Sequence, residues 1–119
     1  MKFEKIFDYE ERLVRFAGET ALFAENLPNS FASSYYKNQI IRSSGSSVLN
    51  YGEAQGTVSS KDFIYKVSIV VKELKESRGS LKVLNYLKLG NVEMLEAPLS
   101  ECEELIAIGI TLIKNKKSH

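Results

Sequence analysis

Apolar and small residues recur along most of the chain at alternating steps of four and three, which is the spacing of one face of an α-helix. The first series that follows this pattern consists of Tyr9, Leu13, Phe16, Thr20, Phe23 and Leu27. Asp8 stands where an N-cap belongs, and Pro28 ends the segment because the residue before a proline resists the helical conformation. The pattern predicts a first helix over residues 8–26.

The second segment has an ambiguous centre, because residues 43–47 read Ser-Ser-Gly-Ser-Ser. By composition this run is typical of a flexible linker. Apolar residues nevertheless resume beyond it on the same helical phase, which a free linker does not require. We therefore expect a second helix over residues 31–56, capped by Ser30, whose small residues let a neighbouring helix approach closely.

The third segment has the most regular pattern in the chain, and its members are Phe63, Val67, Val70, Leu74, Ser77, Leu81 and Leu84. A β-strand is the rival interpretation of residues 63–71, which are rich in Val, Ile and Tyr. The four-three spacing continues far beyond that stretch, so it favours a helix over residues 60–87.

A fourth helix is predicted over residues 91–115, after a turn at Leu89-Gly90-Asn91. Pro98 is awkward inside a helix, and Ser100 with Glu103 has the form of a capping box. We therefore expect the fourth helix to kink or restart near residue 100.

Four amphipathic segments with short connections predict a single all-α domain over residues 1–119, folded as an antiparallel up-and-down four-helix bundle. Several apolar residues lie off the main helical seams, namely Ile64, Val71, Leu87, Ile106, Ile110 and Ile113. A helix that is apolar on two faces is buried on two faces. This surplus predicts that the protein associates with copies of itself.

Composition limits the class of protein but does not indicate a ligand or a reaction. The chain has 119 residues, 44% hydrophobic and 26% charged, with a formal net charge of +1. A single Cys excludes an internal disulfide framework and fits a reducing compartment. We find no membrane-spanning run, and the charged N-terminus does not suit a signal peptide, so we expect a cytoplasmic protein without a membrane partner.

Candidate chemical groups are few. The single His is the last residue, His119, which argues against a histidine-based acid–base pair or metal cluster within one chain. Cys102 falls on the predicted core seam between acidic neighbours, which is the reverse of a reactive thiol. We predict no catalytic, cofactor-binding or metal-binding residues and no enzyme activity.

One face of the second helix carries a ribbon of polar residues, namely Gln39, Arg42, Ser46, Asn50 and Glu53. The ribbon is either a solvated surface or a partly buried hydrogen-bonded network, and its scarcity of Lys and Glu favours the network. A hairpin centred between residues 58 and 59 places Arg42 opposite residue 75. Glu76 is therefore a candidate ion-pair partner of Arg42.

The third helix is the most basic element, with Lys72, Lys75, Arg78 and Lys82 spaced along it. These residues are a candidate nucleic-acid surface, although lysines on a helix also serve simply as solubilising groups. Tyr65 and Tyr86 are the nearest aromatic residues. Their positions do not visibly interleave with the basic residues, so stacking of single-stranded bases is not predicted.

The segment QIIRSSGSSVLNYGEA (residues 39–54) resembles the second-helix signature of the bacterial 23S rRNA intervening-sequence proteins, approximately Q-I-x-R-x-x-x-S-x-x-x-N-x-x-E. The positions that match are Gln39, Ile40, Arg42, Ser46, Asn50 and Glu53. The segment SKDFI (residues 60–64) is similar to the start of the third helix in the same family. The resemblance extends over roughly residues 9–115.

This resemblance implies a left-handed four-helix bundle that assembles into homo-oligomeric rings, typically pentamers. It implies no enzyme activity and no cofactor. A related branch, the accessory protein of diversity-generating retroelements, associates with a reverse transcriptase and nucleic acid. Nucleic acid or a ribonucleoprotein is therefore a possible partner, beside the protein itself, and RNA binding is the alternative function.

Overall fold

The computed structural model describes residues 8–118; His119, with the prediction made for it, lies outside the described residues. Four long helices are present: α1 (Tyr9–Glu25), α2 (Phe31–Gln55), α3 (Ser60–Leu87) and α4 (Glu96–Lys117). A short 3₁₀ turn, Val92–Leu95, leads into α4. Among the described residues there is no strand, which confirms the predicted all-α class.

Side-chain contacts show that α2 and α3 run antiparallel and that α1 packs against α4. Between α2 and α3, Arg42 meets Glu76, whereas Glu53 meets Lys66 near the connecting turn. Between α1 and α4, the Tyr9 hydroxyl donates to the carbonyl of Leu105 at 2.7 Å. Each helix packs against the next along the chain, and α1 packs against α4, so the four helices form an up-and-down bundle measuring 47 × 26 × 19 Å.

Hydroxyl caps fix the starts of the two central helices. The Ser30 side chain accepts a hydrogen bond from the Ser33 amide at 3.1 Å, and Ser59 accepts one from the Asp62 amide at 3.1 Å. Such bonds satisfy amides that have no partner within the helix. Asp8 occupies the N-cap position of α1, but its side chain makes no capping bond.

The prediction for the fourth helix was wrong at its start. Residues 92–95 form the 3₁₀ turn, and α4 begins at Glu96 instead of residue 91. Pro98 is the third residue of α4, where a missing N–H costs no intrahelical hydrogen bond. The helix therefore does not restart at Ser100, which lies within it and does not cap it.

Two predicted outward-facing residues are instead part of the core. Val71 is 7% exposed and Ile106 is 5% exposed, because α3 and α4 approach closely at Gly109. A Cβ placed on Gly109 would lie 2.7 Å from Val71 Cγ2. The prediction that Val71 and Ile106 lie on a second apolar face for contacts with other copies is therefore wrong, because both side chains are buried within the protomer. Leu87 and Ile110 remain exposed, and Ile64 and Ile113 are half-buried.

A left-handed backbone turn connects α3 to the 3₁₀ segment. Lys88 has φ 55° and Gly90 has φ 78°. Gly90 also lies against Phe23 of α1 and against Leu27, two residues beyond the end of that helix, since a Cβ there would be 2.8 Å from Leu27 Cδ2 and 3.4 Å from the Phe23 ring. Both the backbone conformation and the lack of space require glycine at this position.

Candidate functional site

The inner face of α2 is lined by hydroxyl groups. The Ser43 and Ser77 hydroxyl oxygens lie 2.6 Å apart across the α2–α3 contact, and Thr20 of α1 donates to Ser44 Oγ at 3.1 Å. Ser47 donates to the Ser44 carbonyl at 2.6 Å. The five-residue run of Ser and Gly is therefore a packed helical segment, and the linker interpretation is wrong.

At the edge of this contact, one arginine bridges two carboxylates of α3. Arg42 Nη1 lies 3.2 Å from Glu73 Oε2, and Arg42 Nη2 lies 3.1 Å from Glu76 Oε1. The predicted neighbours Arg42 and Glu76 are thus brought together. Glu73 is the more buried carboxylate of the two. Glu73 was not predicted as a partner from the sequence, although residues 73 and 76 bracket position 75, which the hairpin register places opposite Arg42.

The two carboxylates of this cluster titrate in opposite directions. Burial opposes ionisation of Glu73, but hydrogen bonds with Glu76, Ser46 and Arg42 outweigh it, so the pKa of Glu73 is lowered. The hydrogen bond with Glu73, together with burial, raises the pKa of Glu76. The hydrogen bond with Glu73 is also the largest cause of the raised pKa of Arg42. Glu73 is therefore the carboxylate of the pair that ionises first, and its hydrogen bonds with Glu76, Ser46 and Arg42 all favour its charge.

The other residues of the predicted polar ribbon lie along the same edge of α2. Asn50 Nδ2 donates to the Ser46 carbonyl at 2.9 Å and to Ser46 Oγ at 3.0 Å, both within α2. Glu53 pairs with Lys66 of α3. Gln39 lies half-buried further along α2. Asn50 is thus bonded within α2, whereas Arg42 and Glu53 pair with residues of α3, so the ribbon lies along the α2–α3 edge.

The outer face of α2 carries large apolar side chains. Phe31 is 96% exposed, Tyr35 is 55% exposed and Leu49 is 69% exposed. They belong to one series at alternating four-three spacing, which we name the α2 outer seam: Phe31, Tyr35, Asn38, Arg42, Gly45, Leu49 and Gly52. On α1, the outward residues Val14, Gly18 and Leu22 repeat every fourth position.

The basic surface predicted on α3 differs in its members from the exposed face that the structure shows. Arg78 turns toward α4 and pairs with Glu103 at 2.5 Å, so it is not available as a free cation. An exposed series at alternating four-three spacing instead runs the length of α3, and we name it the α3 stripe: Lys61, Tyr65, Ser68, Lys72, Lys75, Gly79, Lys82 and Tyr86. None of these positions is acidic.

The two tyrosines of the α3 stripe are neither core nor interfacial within the protomer. Tyr65 is 64% exposed and Tyr86 is 85% exposed, and both share a face with Lys72, Lys75 and Lys82. The two tyrosines thus flank the basic residues at either end of the face and do not alternate with them. A seven-residue interval links positions 65, 72, 79 and 86, and this interval is the sequence signal that identifies the face.

A shallow depression of about 460 Å³ lies at the middle of the α3 stripe, lined by Ser68, Val71, Lys72, Lys75 and Glu76. Elsewhere, the Cys102 thiol donates to the Leu74 carbonyl at 3.2 Å, and burial raises its pKa to about 12. Residues 8–118 contain no cluster of His, Cys, Asp and Glu that could hold a metal ion. Within the same range, no helix is both long and apolar enough to cross a bilayer.

Comparisons with known proteins agree with the sequence resemblance. The family model of the 23S rRNA-intervening sequence protein matches residues 8–110. A crystal structure from Bacteroides thetaiotaomicron, described as a protein of unknown function from the S23 ribosomal protein family, superposes with a TM-score of 0.80 at 27% sequence identity. That match covers 96% of this chain and 99% of the other. No curated protein matches the chain. The chain therefore belongs to the 23S rRNA-intervening sequence protein family.

Proposed function

We propose that this protein is a non-enzymatic interaction module that assembles with copies of itself into a ring. The observation that carries the proposal is the α2 outer seam, where Phe31, Tyr35 and Leu49 expose more than half of their surface on one helical face. Scattered exposed apolar residues are normal, whereas several along one seam mark a contact surface. Their spacing is that of a helix that packs against another helix.

A glycine in the same seam supports close packing by a partner. Gly45 lies in the middle of α2, where glycine costs about 1 kcal/mol relative to alanine. A Cβ at this position would meet no other atom within 4 Å, so packing inside the protomer does not require the glycine. Gly45 would instead allow the helix backbone of a neighbouring copy to approach α2 closely.

A ring requires two different surfaces on each protomer, because a heterologous contact repeats around an axis until it closes. The α2 outer seam is one candidate surface. The outward row Val14, Gly18 and Leu22 on α1 is the other, since it also combines large apolar residues with a central glycine. The family resemblance favours a pentamer.

Light scattering coupled to size-exclusion chromatography tests this proposal. We expect the wild-type protein to elute with the mass of a closed oligomer, and the double variant Tyr35→Lys/Leu49→Lys to elute as a folded monomer. Val58→Lys is the matched control, because Val58 is fully exposed in the α2–α3 turn, outside the seam. A wild-type monomer at tens of micromolar concentration would contradict the proposal.

Nucleic-acid binding through the α3 stripe is a second candidate function. Among the described residues, no carboxylate lies within ion-pair distance of Lys72, Lys75 or Lys82. Lysines in a row bind phosphates by releasing counterions, and here Lys72 interacts with Glu76 and Lys82 with Glu103 only at longer range. Assembly into a ring would repeat the row in every protomer and strengthen the local field.

A salt titration tests this second candidate. With a fluorescent oligonucleotide as probe, the affinity should fall steeply as salt increases, and the triple variant Lys72→Glu/Lys75→Glu/Lys82→Glu should abolish binding. The matched control is Lys88→Glu/Lys114→Glu/Lys117→Glu, which reverses three exposed lysines outside the stripe. Loss of binding in both triple variants alike would indicate net charge alone and contradict the assignment.

A further inference from the structure

The α3 stripe places an exposed aromatic ring at each end of its central lysines. Tyr65 and Tyr86 are separated by 21 residues of continuous helix, which corresponds to about 32 Å along the axis. Lys72, Lys75 and Lys82 lie between them on the same face. The stripe is therefore a straight row of cations with a planar apolar group at either end.

The tyrosine rings distinguish between possible polyanions. Lysines alone suit any polyanion, including duplex nucleic acid and acidic protein segments, because they bind charge without reading shape. Exposed tyrosines are stacking platforms for bases whose faces are open, and only an unpaired strand offers those faces along its length. A duplex keeps its base faces covered by stacking within the helix.

The surface between the rings leaves room for a strand. At Gly79, between Lys75 and Lys82, a Cβ would meet nothing within 4 Å, so the backbone is open at that point. The depression beside Lys72 and Lys75 provides further space on the same face. Glu76 borders the depression, but its carboxylate is paired with Arg42 at 3.1 Å. Repulsion of a phosphate by Glu76 is therefore reduced.

We propose that α3 binds single-stranded nucleic acid lengthwise, with phosphates on Lys72, Lys75 and Lys82 and bases stacked on Tyr65 and Tyr86. This inference rests on the second candidate function and adds the strand form and the stacking residues to it. The two tyrosines contribute to affinity for the strand and not to affinity for a duplex.

Fluorescence anisotropy with a labelled strand of about 12 nucleotides and the duplex of the same sequence tests the proposal. We expect the strand to bind more tightly than the duplex. The double variant Tyr65→Ala/Tyr86→Ala should weaken strand binding at least tenfold while leaving the salt dependence and the duplex affinity unchanged. The matched control, Tyr65→Phe/Tyr86→Phe, keeps both rings and should retain the wild-type affinity.

The outcomes separate this inference from the function on which it rests. If the alanine variant binds the strand as tightly as wild type, while the triple lysine reversal abolishes binding, the lysines bind phosphates and the stacking is refuted. If neither strand nor duplex binds at low salt, the candidate function itself fails. If poly-glutamate displaces the strand as effectively as unlabelled strand does, the surface binds acidic protein segments and the proposal is overturned.

Discussion

The two faces of α2 differ in a way that reverses the usual arrangement of a bundle helix. Its inner face buries small hydroxyl residues, among them Ser43, Ser44 and Ser47, whereas its outer face exposes Phe31 and Leu49. On α1 the arrangement is conventional, and the buried series consists of Tyr9, Leu13, Phe16, Thr20 and Phe23. Burial of small residues in α2 lets α1 and α3 approach it closely.

Hydrogen bonding explains how α2 tolerates buried hydroxyls. Ser44 donates to the Ile40 carbonyl at 2.7 Å, which is one turn earlier in the same helix, and Ser77 of α3 donates likewise to the Glu73 carbonyl at 3.2 Å. A buried hydroxyl that keeps a partner costs little. Ser33 is the exception among the described residues, since its buried oxygen has no partner. The large apolar side chains Phe31, Tyr35 and Leu49 lie on the opposite, exposed face of the same helix.

The largest expected difference in unfolding free energy between the two faces of α2 comes from replacing each of two adjacent isoleucines. Ile40 is fully buried and Ile41 is exposed. Ile40→Ala should lower the free energy of unfolding by about 2–5 kcal/mol, because it leaves a cavity in the core. Ile41→Ala is the control and should change it by less than about 1 kcal/mol. Urea denaturation of both variants measures the difference, and equal losses would contradict the assignment of the two faces.

A slightly smaller effect is expected from enlarging the inner face. Ser43→Val adds volume where Ser43 and Ser77 lie 2.6 Å apart, and removes one hydroxyl of the pair. We expect a loss of about 1–3 kcal/mol in unfolding free energy, because overpacking forces the helices apart. The exposed residue Ser34 provides the control Ser34→Val, which should be nearly neutral. Thermal unfolding followed by circular dichroism detects both effects, and a neutral Ser43→Val would refute tight packing there.

The ion-pair cluster of Arg42, Glu73 and Glu76 should make the free energy of unfolding depend on pH. The pKa of Glu73 is lowered in the folded protein, so its ionisation stabilises the fold above the unfolded pKa of about 4.3. This contribution is lost as the pH falls through the folded pKa. Glu73→Gln should therefore cost about 1–2 kcal/mol at pH 7, and less at acid pH.

Glu76→Gln is the matched control for that experiment. The pKa of Glu76 is raised, chiefly by its hydrogen bond with Glu73, so its charge adds no stability at neutral pH. We expect little change at pH 7, because Arg42 keeps its pairing with Glu73. Chemical denaturation at pH 7 and pH 4 distinguishes the two carboxylates. An equal loss in both variants at pH 7 would show that Glu73 is not the principal partner.

The smallest expected effect on stability comes from replacing Gly45, which lies in the α2 outer seam. Gly45→Ala should stabilise an isolated protomer by about 0.5–1 kcal/mol, because alanine is the better helix former and its Cβ meets no neighbour. The same substitution should weaken self-association if a copy approaches there. Gly79→Ala on α3 is the control for the helix effect alone. Unfolding and sedimentation measured on both variants test this; unchanged self-association in Gly45→Ala would remove Gly45 from the interface.

Much of the fold was predictable because the apolar spacing of each helix is local information. The hairpin register between α2 and α3 also placed Arg42 beside Glu76, since two capped helices and one short turn fix the pairing. Val71 and Ile106 were misplaced because spacing along one helix does not report how closely the next helix packs. That distance depends on Gly109, whose role is visible only across the α3–α4 contact.

The candidate surfaces were less predictable than the core. Arg78 could not be separated from the lysines by its position in α3, because its pairing depends on Glu103 in α4. Tyr65 and Tyr86, by contrast, were identifiable from their seven-residue phase with Lys72. The structure added the fact that this whole face is open, which a helical pattern alone does not establish.

Cys102 gives the protein a built-in reporter of its own opening. Its thiol is enclosed between α3 and α4 and is bonded to the Leu74 carbonyl, and burial raises its pKa to about 12. Alkylating reagents act on thiolates, so modification must wait until these two helices separate. The rate at which Cys102 is alkylated therefore measures how often α3 and α4 open locally, without any introduced dye or tag.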